Sequence, residues 1–412
     1  MSGRPTRSPA GRTVLNSRGE ASASSPRRLR RRRPTLPVAD EERVPWVRPI
    51  FELDDGLFAD MRAALSTGRV TNNGPFLIDF ERRLASYLGV DDCVAVSSGS
   101  AALLLVTRAL GIDGAKAVVP AFTFIATLNA LVCSGVTPVF CDIEPDTWTL
   151  SPTSLRRLVA AEPDIRLVVP VNVFGVPPDM NAILPIVDSI GATLMVDNAH
   201  GLGTVQGGVH CVPGPIAQTY SLHATKVLPA IEGGAVVSAD SRLLSEIRRL
   251  RNHGLAGDPR ASTPGYNAKM SELHAAVALR SLQSLDESVR HRREYATRLR
   301  RVLTEDCATT FAVQRIPEGV QSNFQNLGVL ARVGPRGDVT AIQAVLEAEG
   351  IETRRYFWPA LHDLPEYRGR FSLPVTEEVD RSVLCLPLHS YMEQRTLARV
   401  ERALRRTAAR LA

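Results

Sequence analysis

The sequence predicts an α/β fold, a mainly parallel sheet covered by helices on both faces, followed by a smaller α+β domain. Three observations lead there. Between residues 90 and 255 short apolar runs alternate with helical patterns, as βαβ connections require. Beyond residue 270 this gives way to a long amphipathic stretch and a sparser mixture of strand and helix signals. Hydrophobic residues make up 44% and charged residues 22% of 412, enough apolar content for a large core in two or three domains.

In chain order, 78–88 and 98–111 read as helices, the second opening at SSGS, residue types that suit a helix N-terminus. AVVP (117–120) is a short buried strand, and FTFIATLNALVCSG (122–135) is a helix closed by Gly135. TPVFCD (137–142), IRLVVPVNV (165–173) and ATLMVD (192–197) are apolar strands bounded by turn residues; QTYSL (218–222) and GAVVSA (234–239) add two more. Residues 270–303 have the spacing of one long amphipathic helix leaving the sheet. NLGVLA (326–331) is a strand and 339–349 a helix; an irregular Pro-containing stretch precedes a closing helix at 392–411.

The net charge of +6 belongs to one end of the chain. Residues 1–33 hold ten arginines and a single acid, Glu20, while the remainder sums to −3. This Ser/Pro/Arg-rich segment has too little apolar content to fold alone, so 1–46 is expected to be a disordered extension. The domains expected after it are 47–295, a large domain, and 296–412, a small C-terminal one. Nucleic-acid binding by the extension is not expected, nor is a secretory signal, because no apolar run follows the arginines. No run of about 18 apolar residues occurs anywhere, so no membrane span is expected. The six cysteines are scattered without a CxxC pair, which argues against a zinc ribbon and fits reduced thiols in the cytoplasm. No metal site is expected.

In a parallel α/β sheet, ligands bind beyond the carboxyl ends of the strands, and four features fall there. SSGS (97–100) joins a strand to a helix, where free amides and the dipole suit a phosphate, although a plain N-cap has the same look. Asp197 closes a very apolar strand, where a buried carboxylate needs a cation, a metal or solvent. His200 follows in VDNAHGLG and could equally be a satisfied loop residue. Ser221 ends another strand, and Lys226 follows five residues later in SLHATKVLPAIEGG. GLGTVQG (201–207) misses the dinucleotide-loop spacing and is rejected as one. The chain has only three lysines, Lys116, Lys226 and Lys269, against 46 arginines, and guanidinium cannot act as an amine nucleophile. A phosphate cradle, a carboxylate, a hydroxyl and an amine on one sheet edge are what pyridoxal phosphate requires.

These residues resemble the DegT/DnrJ/EryC1/StrS family of PLP-dependent aminotransferases, chiefly sugar aminotransferases. The likeness covers 47–400, through SSGSAAL (97–103), VPAFTFIATLNA (119–130), DNAHGLG (197–203), SLHATKVLPAIEGG (221–234), RNHG (251–254) and GYNAKMSELHAAVAL (265–279). It implies the aspartate-aminotransferase fold (PLP fold type I), with a PLP-binding large domain, and a homodimer with a shared active site. By the resemblance Lys226 carries the cofactor as a Schiff base and Asp197 pairs with its pyridinium nitrogen. Gly99, Ser100, Ala101 and Ser221 contact its phosphate, Phe124 stacks on its ring, and Asn267 reaches the phosphate from the neighbouring subunit. His200 stands where the family commonly has Gln beside the ring oxygen, and Ser100 replaces a frequent Thr.

The implied reaction converts a ketosugar, expected to be nucleotide-linked, into an aminosugar with glutamate or glutamine as donor, by way of PLP and PMP. A ketocyclitol or aminoshikimate-type acceptor is the alternative within the family. Lys226 argues against relatives that are dehydratases with His at this position. A regulatory protein on an inactive scaffold is the alternative from another class. His253, His362 and His389 are read as packing or loop residues.

Overall fold

The computed structural model describes residues 43–71, 73–211, 213–255, 264–332 and 339–411. The expected disorder of 1–42 lies outside them. The chain begins with α1 (Asp55–Ser66), α2 (Pro75–Leu88), β1 (Cys93–Val96), α3 (Gly99–Ala109), β2 (Lys116–Pro120), α4 (Ile125–Cys133) and β3 (Thr137–Cys141). Then come α5 (Pro152–Ala161), β4 (Ile165–Val168), α6 (Met180–Ser189), β5 (Thr193–Asp197), β6 (Val205–Gln206), β7 (Ala217–Ser221), β8 (Gly234–Val237) and α7 (Ser241–Leu250). After α8 (Glu272–Gln283) and α9 (Leu285–Glu305) follow β9 (Phe311–Val313), β10 (Val320–Gln321), β11 (Leu327–Ala331) and α10 (Val339–Ala348). Last are α11 (Pro374–Ser382), β12 (Val383–Leu386) and α12 (Gln394–Leu411).

Seven strands form the main sheet in the order β1-β8-β7-β5-β4-β2-β3, and only β8 runs against the others. Period-two alternation sends successive side chains to opposite faces. Val94, Val119 and Met195 pack under α3, α4 and α7. Cys93 and Ala95 turn to α2 and α8, and Val118, Leu194 and Val196 to α5 and α6. Both faces are thus apolar, which is why these strands read as continuous hydrophobic runs rather than alternating ones. A smaller antiparallel sheet, β12-β11-β9, packs with α9, α10 and α12 around its own cluster of buried residues.

Several expectations need correction. Residues 43–46, assigned to the extension on composition, are packed: Val44 bridges Ile351, and Trp46 is buried against Tyr356. The 270–303 helix is two, broken at Ser284, and the second runs through the expected boundary at 295/296. Its amphipathic pattern crosses the break because no Gly or Pro marks it. IRLVVPVNV stops being a strand at Val168, since Pro170 has no N–H; its carbonyl still accepts from Asp197 N–H at 3.0 Å. The irregular stretch contains α11 and β12, whose four buried residues carry no turn signal ahead of them.

Candidate active site

Because β1, β5 and β7 are parallel, Ser98–Ser100, Asp197 and Ser221 meet at one edge of the sheet. β8 is antiparallel, so its beginning, Glu232–Gly234, joins the same edge. The loops come so close there that a Cβ on Gly234 would stand 2.3 Å from the Ser98 carbonyl oxygen, and one on Gly99 2.8 Å from Ser221 Cβ. These contacts enclose a cavity of about 410 Å³ whose walls include Ser98, Gly99, Ser100, Phe124, Asp197, His200, Ser221 and Lys226. That suits a small organic ligand. A more open cleft of about 680 Å³ lies by α7, but its Arg248, Arg249 and Arg251 are tied to Asp92, Glu246 and Glu81.

Asp197 is buried at the end of β5. Its Oδ2 accepts from Thr127 Oγ1 at 2.7 Å and its Oδ1 from Ala199 N–H at 3.1 Å. Burial pushes its carboxyl up, opposed by those two donors and by the charge of Lys226. The same enclosure pulls the Lys226 amine down to about 8, against the attraction of Asp197. Both groups are therefore driven toward their neutral forms. A carboxylate with two neutral donors and spare lone pairs facing a cavity fits a ligand that brings its own N–H cation. The residues present fit pyridoxal phosphate in this respect.

His200 is buried, its ring 5.4 Å from that of Phe357 at 8°. Its Nδ1 accepts from Phe174 N–H at 3.3 Å, which leaves Nε2 as the protonated nitrogen of the neutral ring. Burial first, and then the charge of Lys226, hold the ring's pKa well below the usual histidine range. His200 is thus a neutral one-proton donor, and a glutamine amide could take its place. His200→Gln is expected to change kcat/KM by no more than about tenfold, the order of one hydrogen bond, as steady-state kinetics would show.

Two sequence-derived assignments fall outside this cavity. Ala101 is not on its wall, because its N–H donates to Ser98 Oγ at 3.1 Å and caps α3. The amides of Gly99 and Ser100 remain as the helix-end donors there. Asn267 is exposed and pairs with Asn252, away from this chain's cavity. Phe124 lies on the wall, half exposed, and parallel to Tyr356 at 6.2 Å between centroids.

Other wall residues were not singled out in the sequence. Tyr356, Phe357 and Trp46 form an aromatic side, and Glu232 and Arg354 also reach the cavity. Arg354 is the one arginine among the described wall residues, and its guanidinium lies over the Trp46 ring at 5.5 Å. The twin arginines in TRRYFWP were its only visible trace. His362 and His389 are buried away from this wall, and His253 sits in a turn at φ 59°. No group of three or more His, Cys, Asp or Glu side chains suited to a metal occurs among the described residues. No helix among them is long and apolar enough to cross a membrane.

Comparison with known proteins bears on the same residues. A sequence profile described as the DegT/DnrJ/EryC1/StrS aminotransferase family matches residues 52–405. The chain is 30% identical over 341 residues to a dTDP-4-amino-4,6-dideoxy-D-glucose transaminase of Escherichia coli, covering 81% of this chain and 91% of that one. Among solved structures, DesI in the presence of its TDP-sugar product shares 35% identity at a TM-score of 0.82, with 91% of this chain and 95% of that chain covered. DesV of S. venezuelae, in complex with a ketimine intermediate, matches at 29% identity and a TM-score of 0.82, covering 89% and 100%.

Proposed function

Because the chain belongs to the DegT/DnrJ/EryC1/StrS aminotransferase family and is a PLP-dependent transaminase, we propose that it aminates a keto group on a nucleotide-linked sugar. The donor would be glutamate or glutamine. The observation that carries this is that the buried Asp197, Lys226 and the helix-end residues Gly99 and Ser100 line one cavity. The named relatives, a dTDP-sugar transaminase and an enzyme holding a TDP-sugar product, favour a dTDP-linked acceptor.

When bound, the cofactor supplies a carbonyl that exchanges amines and a protonated ring that takes up the electron pair left by a departing α-proton. Asp197 would hold the proton on the ring nitrogen. The Gly99 and Ser100 amides and the Ser221 hydroxyl would bind the phosphate, and the His200 Nε2–H would donate to the ring's substituents. The Lys226 amine would be the base that takes the proton from the donor's α-carbon and, as the acid, would return one to the sugar carbon being aminated. Arg354, not spent on a carboxylate among the described residues, offers a cation for the donor carboxylate or the sugar's diphosphate. We further propose that two copies of the chain pair, each bringing Asn267 to the other's phosphate, and that the protein works in the cytoplasm.

The test is to convert the enzyme to its amino form with glutamate and offer dTDP-linked 4-keto and 3-keto sugars, ketocyclitols and aminoshikimate-type ketones. Return of the aldehyde absorbance with a dTDP-ketosugar is the expected result. Turnover with a ketocyclitol alone would replace this reading by the family alternative.

A further inference from the structure

The backbone of Lys226 is gripped from far away in sequence. The carboxamide of Gln325, in the segment that leads into β11, makes two hydrogen bonds to the lysine loop. Its Oε1 accepts from Val227 N–H at 3.1 Å, and its Nε2 donates to the Thr225 carbonyl at 2.9 Å. The Thr225 carbonyl and the Val227 N–H belong to the two peptide groups that flank the Lys226 Cα. One side chain therefore pins both planes.

The grip is itself held. Gln325 is buried, and its N–H donates to Asn323 Oδ1 at 2.8 Å. The buried Arg292 guanidinium donates to the Gln325 carbonyl at 2.7 Å and twice to the Phe324 carbonyl, at 3.0 and 2.9 Å. Burial alone pulls Arg292 down to about 10. Keeping a cation inside on carbonyl acceptors costs desolvation energy, and here the return is a rigid turn. Phe324, at its centre, has φ 47°, a left-handed backbone that a bulky residue rarely adopts. From the same turn, Asn323 Nδ2 donates to the carbonyls of His200 at 2.8 Å and Leu202 at 2.7 Å.

We propose that Gln325 is a positioning residue for the reactive amine, fixing the Lys226 backbone so that only side-chain torsions move the nitrogen between its partners. Gln325 is not on the cavity wall and so acts through the lysine loop it holds. A misplacement of about 1 Å at a reacting atom can cost ~10²-fold in rate, which is the scale of effect open to such a clamp. The inference rests on Lys226 being the cofactor-bearing amine.

The test compares the full chain with Gln325→Ala and with the near-isosteric Gln325→Glu, which keeps the acceptor for Val227 but sets a carboxylate oxygen against the Thr225 carbonyl. Both variants are expected to lose about tenfold to a hundredfold in kcat while KM for donor and acceptor shifts by less than about threefold. Cofactor-free protein methylated with ¹³C-formaldehyde gives few lysine signals to resolve, because the chain has three lysines. The Lys226 signal should titrate near about 8 in the parent and move up by about half a unit or more in Gln325→Ala, as water reaches the loosened loop. An unchanged kcat, an unmoved titration, or equal losses in kcat and through KM in a folded variant would overturn the proposal. So would failure of both variants to fold, which would make the clamp purely structural. Borohydride trapping that labels a residue other than Lys226 in the parent would instead sink the assignment of the amine, whatever Gln325 does.

Discussion

Lys226→Ala is expected to lower kcat/KM by at least about 10²–10⁴-fold, because it removes the group that moves the proton. The variant should bind the cofactor without forming a borohydride-reducible bond, and peptide mapping of the parent should find the label at residue 226. The amine also predicts a pH dependence. Only the neutral form attacks a carbonyl, and burial has pulled this amine down to about 8. Uptake of pyridoxal phosphate by cofactor-free protein should therefore accelerate by about tenfold per pH unit below that value and level off above it. Stopped-flow absorbance measures this directly. A rate still climbing past pH 9 would mean that the enclosure does not depress the amine.

Asp197→Asn should cost about 10²–10³-fold in kcat, the scale seen when a charge-stabilising group is removed, with the fold kept. The amide oxygen can still accept from Thr127 or Ala199, but nothing then holds a proton on the cofactor ring. Stability gives an independent check on cofactor-free protein. Burial raises the Asp197 carboxyl, so between the usual carboxylate range and its raised value the folded chain keeps a proton that the unfolded chain has lost. The folded state then binds more protons, and stability must fall as pH rises through that window. Thermal melts should therefore show the parent losing stability relative to Asp197→Asn as pH rises through that window, the other titrating groups being common to both. If the two melt in parallel across that window, the carboxyl is not perturbed as the geometry requires.

Much of the scaffold was legible because its causes are local. The alternation between 90 and 255 follows from strand and helix periods and from breakers such as Gly135, at φ 74°. A parallel sheet must then place Asp197 and Ser221 at one edge, and Lys226 in the loop beyond it. Composition misled where it was used alone: Val44 and Trp46 look like the end of a polar tail, yet both are buried by residues some 300 positions later. The use of the Ala101 amide as the α3 cap was illegible for a different reason. Which amide at a helix start is spent on the cap depends on one serine rotamer, and no residue pattern encodes that.

By itself, then, the sequence determined the fold class and the sheet edge that gathers Asp197, Ser221 and Lys226, since strand order and direction control both; the roles expected of these residues came from the family resemblance. Only the tertiary structure decided how those groups are tuned and held. Thr127 on Asp197, Phe174 on His200, Gln325 on the Lys226 loop and Arg354 over Trp46 are contacts between distant segments. Such contacts have no period, and they exist only once burial has brought the partners together and removed the water that would otherwise satisfy them.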